Sequence, residues 1–514
     1  MSRHTDLILP QEIVVGKDVL ELVSAAMYVD PLTIFREYIQ NAADSIDDAR
    51  VQGIIKEGVH GRVDIVLNVE SRSIRIRDNG LGLPAGDFAN RLTSIGSSLK
   101  RGSKARGFRG VGRLAGLGYC QELVFRSRSE GSDAVQELRW DCKSFKNLLS
   151  DHSFNGNLYD LIHRVTSLQE LDGTNWPTHF FEVELLKPLR IKSDLLLNRE
   201  AIASYLSQVA PLPFSPEFNY GMEICERLAE VGNMSEIHVH LNGDETPLYR
   251  PYRNQYFFAE GKPDRFTNLE VFTIEGDSGN ISGLLWLLHH GYQGAISPSL
   301  GIHGLRARKG NIQVGDARIF SEIFPESRFA GWTVGELHVL DEKILPNGRR
   351  DDFVFNAPYS NLKHQLTPFG DRIARLCRSR SVERNRLKSF YSASLRTKEK
   401  LSTMEQGGLH PDDSESLAHN IRTELQEIKR LSVSPAIGDP AKREMESMIE
   451  ELSKRLEHAE ISDAPSEVLA NFQESDKIMI QRMIGLIYEC SPNRSAAKGL
   501  VDKILARLGS LTEA

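Results

Sequence analysis

The 514-residue sequence is poor in cysteine and has no long apolar run. Its five cysteines, Cys120, Cys142, Cys225, Cys377 and Cys490, are far apart, odd in number and never form a CxxC pair. That argues against a disulfide framework or a cysteine-rich zinc site and predicts reduced, buried thiols. The opening stretch MSRHTDLILPQEIVVG lacks the basic and then apolar segments of a secretory signal. The most apolar later run, ISGLLWLLHHG, is too short to cross a bilayer and reads as a core strand. A cytoplasmic protein without a membrane segment is therefore expected. A net charge of -7 excludes a chain that is basic throughout and coats nucleic acid. There is no GxxxxGK[ST], which excludes a P-loop NTPase, and no long tandem repeat.

What remains is an ordinary globular composition, 26% charged and 40% hydrophobic, long enough for about two to four domains. The informative stretch is Pro31 to Arg50, PLTIFREYIQNAADSIDDAR. At helical spacing Phe35, Ile39, Ala42 and Ile46 share one side, and Glu37, Asn41, Asp44 and Asp48 share the other. Asp30 is the expected N-cap and Pro31 the first helical residue. Residues 16–29 predict a preceding helix. Taken alone, the acidic stripe reads as a solvated face.

Downstream, Val63, Ile65, Leu67 and Val69 alternate, then Ile74 and Ile76, predicting a hairpin that ends in Asp78-Asn79-Gly80-Leu81-Gly82. Residues 83–106 are rich in Ser, Gly, Lys and Arg and read as a loop or lid. Glycines 107, 110 and 112 follow, able to present backbone N–H groups to an anion. Gly110, Gly112 and Ala115 fit a GxGxxA dinucleotide fingerprint, but they follow a polar loop instead of an apolar strand, so that reading fails. Residues 121–141 and 179–189 read as strands, with Gly173-Thr174 before the last. Strands dominate again from 236 to 358, ending in LPNGRRDDF, and the chain is helical after about 360. Segments 416–431 and 440–460 alternate acids and bases at helix spacing, predicting hairpin or coiled-coil helices.

The ordered set E37xxxN41xxD44, D78xGxG, G107xxGxG and Gly173-Thr174 resembles the ATP-binding domain shared by gyrase, Hsp90, histidine kinases and MutL, the Bergerat fold of the GHKL superfamily. VLELVSAAMYVDPLTIFREYIQNAADSI and VGELHVLDEKILPNGRRDDF are most similar to Hsp90-like (HtpG-type) proteins, whereas GFRG is similar to the MutL glycine motif. The resemblance spans roughly residues 10–360. It implies a Bergerat-fold domain with helices on a mostly antiparallel sheet (1–190), a helical connection (191–235) and an α/β transducer-like middle domain (236–365); the pattern beyond it predicts an all-helical C-terminal region (366–514), and the chain is α+β as a whole.

The same resemblance implies ATP and Mg²⁺ as ligands. Glu37 would orient and deprotonate water, Asn41 would hold Mg²⁺, and Asp44 would support the metal's waters. Asp78 would take the adenine amine, with Gly80 and Gly82 in its turn, Gly82 leaving room for the base, and Thr174 adding a contact. Gly107, Gly110, Val111 and Gly112 would wrap the phosphates and Lys100 would reach the γ-phosphate. Arg350 or Arg349 would stabilise the transition state. A homodimer acting on client proteins is the implied assembly. The alternatives are an ATP-gated clamp of MutL or MORC type, acting on nucleic acid through the basic segment 372–400 or in a defence system, and a non-catalytic ATP-binding scaffold.

Overall fold

The computed structural model describes residues 30–94, 112–151, 153–154, 156–232, 235–257, 263–276, 279–435, 437–461 and 468–512. The helix expected over 16–29 lies outside them. The chain divides into two compact units, one ending at Ala374 and the other starting at Arg375.

The first unit opens with α1 (Thr33–Val51). The regular helix starts two residues later than Pro31, after a turn in which the Asp30 carboxylate accepts the Leu32 N–H at 3.1 Å, the bond an N-cap makes. The strand pattern of the first half gives β1 (Arg62–Asn68), β2 (Ser73–Asp78), β3 (Glu122–Arg128), β4 (Ala134–Asp141), β5 (Thr166–Asp172) and β6 (Phe180–Leu186). With β7 (His238–Leu241) they form a seven-stranded sheet in the order β5-β4-β3-β6-β2-β1-β7. All pairs are antiparallel except β1 with β7. The first sheet therefore reaches past residue 235, where the sequence reading began the second domain. The four-residue strand HVHL is too short to reveal its partner from pattern alone.

Period-two alternation places Val63, Ile65, Ile74, Ile76, Leu123, Phe125, Val183 and Leu185 on one face, all buried. Against them pack Phe35, Ile39, Ala42 and Ile46 of α1, Phe88 and Leu92 of α2 (Ala85–Thr93), Phe145 of α3 (Cys142–Ser150), Leu161 of α4 (Leu158–Val165) and Leu206 of α5 (Arg199–Val209). Each large aliphatic or aromatic side chain removed from water here contributes about 1.5–3 kcal/mol. The opposite face carries a ladder of charges: Arg126 bonds Glu137, Glu182 and Glu184 at 2.6–2.8 Å, and Arg77 bonds Glu182 at 2.7 Å. Cross-strand opposite charges satisfy one another there.

After α6 (Gly221–Val231) the chain builds β8 (Gln255–Phe257), β9 (Pro263–Arg265), β10 (Asn268–Glu275), β11 (Ile281–His289), β12 (Gly304–Lys309), β13 (Ile312–Val314) and β14 (Val334–Val339). The last five form a mixed sheet in the order β10-β11-β14-β12-β13, with β12 and β14 parallel. Phe214, Phe218, Ile224, Tyr252 and Trp286 make its core. Beside it Glu336 is fully buried between Arg250 at 2.8 Å and Arg308 at 2.7 Å. Burial alone would raise the Glu336 carboxyl, but the two guanidiniums outweigh it and hold it well below the usual carboxylate range.

The 50-residue α7 (Ala357–Gln406) begins the helical part. In the second unit α8 (Pro411–Ser432) and α9 (Asp439–Ile461) pair through Leu417, Ile421, Leu425 and Ile428 against Met445, Ile449, Leu452 and Leu456, the hairpin expected from heptad-like spacing. α10 (Glu474–Cys490) and α11 (Arg494–Thr512) follow. The architecture is thus α+β, a mostly antiparallel sheet under helices, then a β-rich middle region and a helical end.

Candidate functional site

Within the acidic stripe of α1, Glu37 and Asp44 are buried, Asn41 is partly exposed and Asp48 at the far end is exposed. Arg36, Glu37, Gln40 and Asp44 are each 8% exposed or less, so this stretch of the helix is covered on both sides. The second cover comes from the 3-10 turn Gly112–Gly118 and from the loop after β14. At Gly112 a Cβ would fall 2.4 Å from Glu37 Oε2, so a side chain there would push that carboxylate from its place. Four residues on, the Gly116 N–H donates to the Tyr38 hydroxyl at 2.9 Å.

The loop after β14 closes with the bridge Pro346–Phe353, and Asn347 Nδ2 donates to Asp351 at 2.6 Å. Between them Arg350 turns back on α1, its Nε 3.1 Å from Glu37 Oε1. Arg36 lies 3.7 Å from the same oxygen and donates to the Arg349 carbonyl at 3.2 Å. Of the two arginines, Arg350 thus faces Glu37 with its side chain and Arg349 contributes a backbone carbonyl to Arg36. Asn41, one turn along, is partly exposed, and among the described residues its amide makes no hydrogen bond.

Asp78 ends β2 and is 5% exposed. Burial pushes its carboxyl up to about 7, although the backbone N–H groups of Gly80 and Phe181 donate to it and oppose the shift. Among the described residues no cation pairs with it. The turn behind it is held from three directions. Ser45 Oγ accepts the Leu81 N–H at 3.0 Å, Ser127 Oγ accepts the Leu83 N–H at 2.7 Å, and His179 Nδ1 meets the Gly80 carbonyl at 2.8 Å. Gly82 has φ +69°, and a Cβ there would strike the Arg128 carbonyl at 2.0 Å. Its lack of a side chain is therefore demanded by β3, a reason different from the room for a base expected from sequence.

Thr174 sits in an exposed turn with its hydroxyl donating to Asp172 at 2.7 Å. His179, next to β6, is the side chain that reaches the Asp78 turn instead. Lys100, Gly107, Gly110 and Val111 lie outside the described residues. Ser45 was legible in principle: it continues the Glu37, Asn41 spacing by four more residues. Nothing local marks Ser127 or His179.

Residues 33–169 match the family described as histidine kinase-, DNA gyrase B-, and HSP90-like ATPase. That span holds α1, the Asp78 turn and the Gly112 turn together. It is a domain of that ATPase family. The chain is also similar to proteins named chaperone protein HtpG: 30% identical over 138 residues to that of Acinetobacter baylyi, 27% over 138 to that of Polaromonas naphthalenivorans and 27% over 142 to that of Coxiella burnetii. Each match covers 24% of this chain and 22% of the relative, so the chain spans under a quarter of the length of these relatives.

The helical surroundings temper two other expectations. In segment 372–400, Arg372 pairs with Glu270, Arg380 with Glu383, and Arg396 and Lys400 with Glu424, so part of its basic charge is neutralised within the chain. Cys120, Cys142 and Cys377 are buried as expected, whereas Cys225 is partly exposed and Cys490 exposed. Among the described residues no helix is long and apolar enough to cross a membrane.

Proposed function

We propose that the chain binds ATP with Mg²⁺ and hydrolyses it, the ATPase-family domain supplying the base and the middle region supplying the arginine. The observation that carries this reading is the 3.1 Å contact between Arg350 and Glu37, which joins a residue after β14 to the helix of the ATPase-family domain.

The residues fit the ligands. Asp78, a buried acceptor without a cation, suits the exocyclic amine of adenine, and ionised it accepts a stronger hydrogen bond. The Asn41 amide oxygen would hold Mg²⁺ together with phosphate oxygens and water, the usual hard-oxygen shell of that ion. Bound there, the ion neutralises charge on the phosphates. Glu37 orients the attacking water and takes its proton as the water oxygen bonds the γ-phosphorus and the bond to the β-phosphate oxygen breaks, giving ADP and phosphate. Arg350 leaves Glu37 for the γ-phosphate oxygens, where it offsets the growing negative charge and frees the carboxylate to act as base. Closure of residues 83–106 over the phosphates, a homodimer and a chaperone-type action on protein clients belong to this reading. The similarity to HtpG proteins over 138 residues supports it.

Steady-state turnover and nucleotide binding of Glu37→Gln and Arg350→Ala test it. Glu37→Gln keeps ATP binding and loses roughly 10²–10⁴ in kcat, the worth of a general base. Arg350→Ala loses at least about 10². Wild-type turnover in either variant removes that residue from the mechanism.

A further inference from the structure

We infer that Gln313 is the positioning residue that fixes the backbone bend from which the Arg350 side chain reaches α1, and from there the phosphate; the inference rests on the hydrolytic reading above. Gln313 is the central residue of β13 and only 4% exposed. Its flanking Ile312 and Val314 are apolar core residues, so an amide between them needs a reason. Both of its ends are used. The side-chain oxygen accepts from Arg306 at 2.9 Å, a guanidinium that also donates to Gln208 of α5 at 3.1 Å. The side-chain nitrogen donates to the Gly315 carbonyl at 3.0 Å.

Gly315 then passes the constraint on. Its N–H donates to the Arg350 carbonyl at 2.8 Å. Arg350 has φ +57°, a left-handed conformation that is uncommon for a residue with a Cβ. The backbone bend that aims Arg350 at Glu37 is thus fixed from behind by Gly315, the residue whose carbonyl Gln313 holds on its other side. The line runs from α5 through Arg306, Gln313, Gly315 and Arg350 to Glu37, with a hydrogen bond or ion pair at each step. An amide is the side-chain type that accepts at one end and donates at the other without carrying charge.

The test compares ATPase kinetics, ATP binding and melting temperature of the full chain as wild type, Gln313→Ala, Gln313→Glu, Arg350→Ala and the Gln313→Ala/Arg350→Ala double variant. Gln313→Glu keeps the length and the acceptor for Arg306 but cannot donate to Gly315. Both Gln313 variants are expected to lower kcat about tenfold with KM and ATP affinity unchanged, as for misplacement of a reacting group. The double variant is expected to match Arg350→Ala, because the two residues act as one unit. Wild-type turnover in Gln313→Glu, or losses that multiply in the double variant, overturns the inference. Wild-type turnover in Arg350→Ala instead sinks the hydrolytic reading beneath it, and the two failures are told apart by that single variant.

Discussion

Asp78 gives the sharpest test of the nucleotide site, because its charge state is set by the fold. In the free protein burial lifts its carboxyl from 3.8 to about 7. An adenine amine donates to the ionised form, so a bound base lowers that value again. Binding is then opposed by protons: at pH 6 about nine in ten free molecules carry a protonated Asp78, and at pH 8 about one in ten does. Affinity is expected to be about tenfold weaker at pH 6 than at pH 8, close to 1.4 kcal/mol. Adenosine is the ligand of choice, since it has no phosphate to titrate, and calorimetry in two buffers of different ionisation heat counts the proton released. Stability runs the other way. A carboxyl raised above its unfolded value favours the fold below the unfolded pKa, and that contribution is lost as pH rises through about 7, on the order of 4 kcal/mol in all. Asp78→Asn should therefore raise the melting temperature of the free protein at pH 8 while abolishing the pH dependence of binding. Adenosine affinity that is flat between pH 6 and pH 8 in the wild type would refute the assignment.

Two further outcomes follow from packing. Gly82→Ala adds a Cβ 2.0 Å from the Arg128 carbonyl at a positive φ, so it should cost at least about 2 kcal/mol in denaturant unfolding and loosen the Asp78 turn; a stable variant with intact nucleotide binding contradicts that account. Glu336→Ala leaves Arg250 and Arg308 buried without their carboxylate and should destabilise the first unit by about 3–5 kcal/mol, read by urea melts. Replacing Glu336 without loss of stability would show that water reaches those guanidiniums.

The sequence made the long-period features legible and hid the contacts between distant segments. The β1–β2 hairpin, the α8–α9 pair and α1 follow from regular spacing, since one buried face imposes period two or 3.6 on the residues that line it. The family resemblance picked out the paired arginines in LPNGRRDDF but not which of the two faces Glu37. That choice is made by the left-handed turn at Arg350 and the hydrogen bond from Gly315, and the two segments lie 35 residues apart in sequence. Likewise the amphipathic wheel of α1 places its core side but does not reveal that Glu37 on the other side is covered, because that cover comes from Gly112 and from a loop some 300 residues later, while Asp48 stays exposed. His179 and Ser127 brace the Asp78 turn from strands whose pairing, not composition, brings them there.

The strand His238–Leu241 has a practical consequence for anyone dissecting the protein. It covers the outer edge of β1, with the Asn242 side chain accepting the Leu67 N–H at 2.7 Å to finish the seam. A fragment cut at residue 190, after β6, would present β1 as a bare edge with Val63 and Ile65 beneath it. Bare edges recruit other strands, so such a fragment is a candidate for aggregation, whereas one extended past residue 250 keeps the seam closed. The first sheet takes its last strand from the far side of the connector, and the two regions must therefore be expressed as one piece.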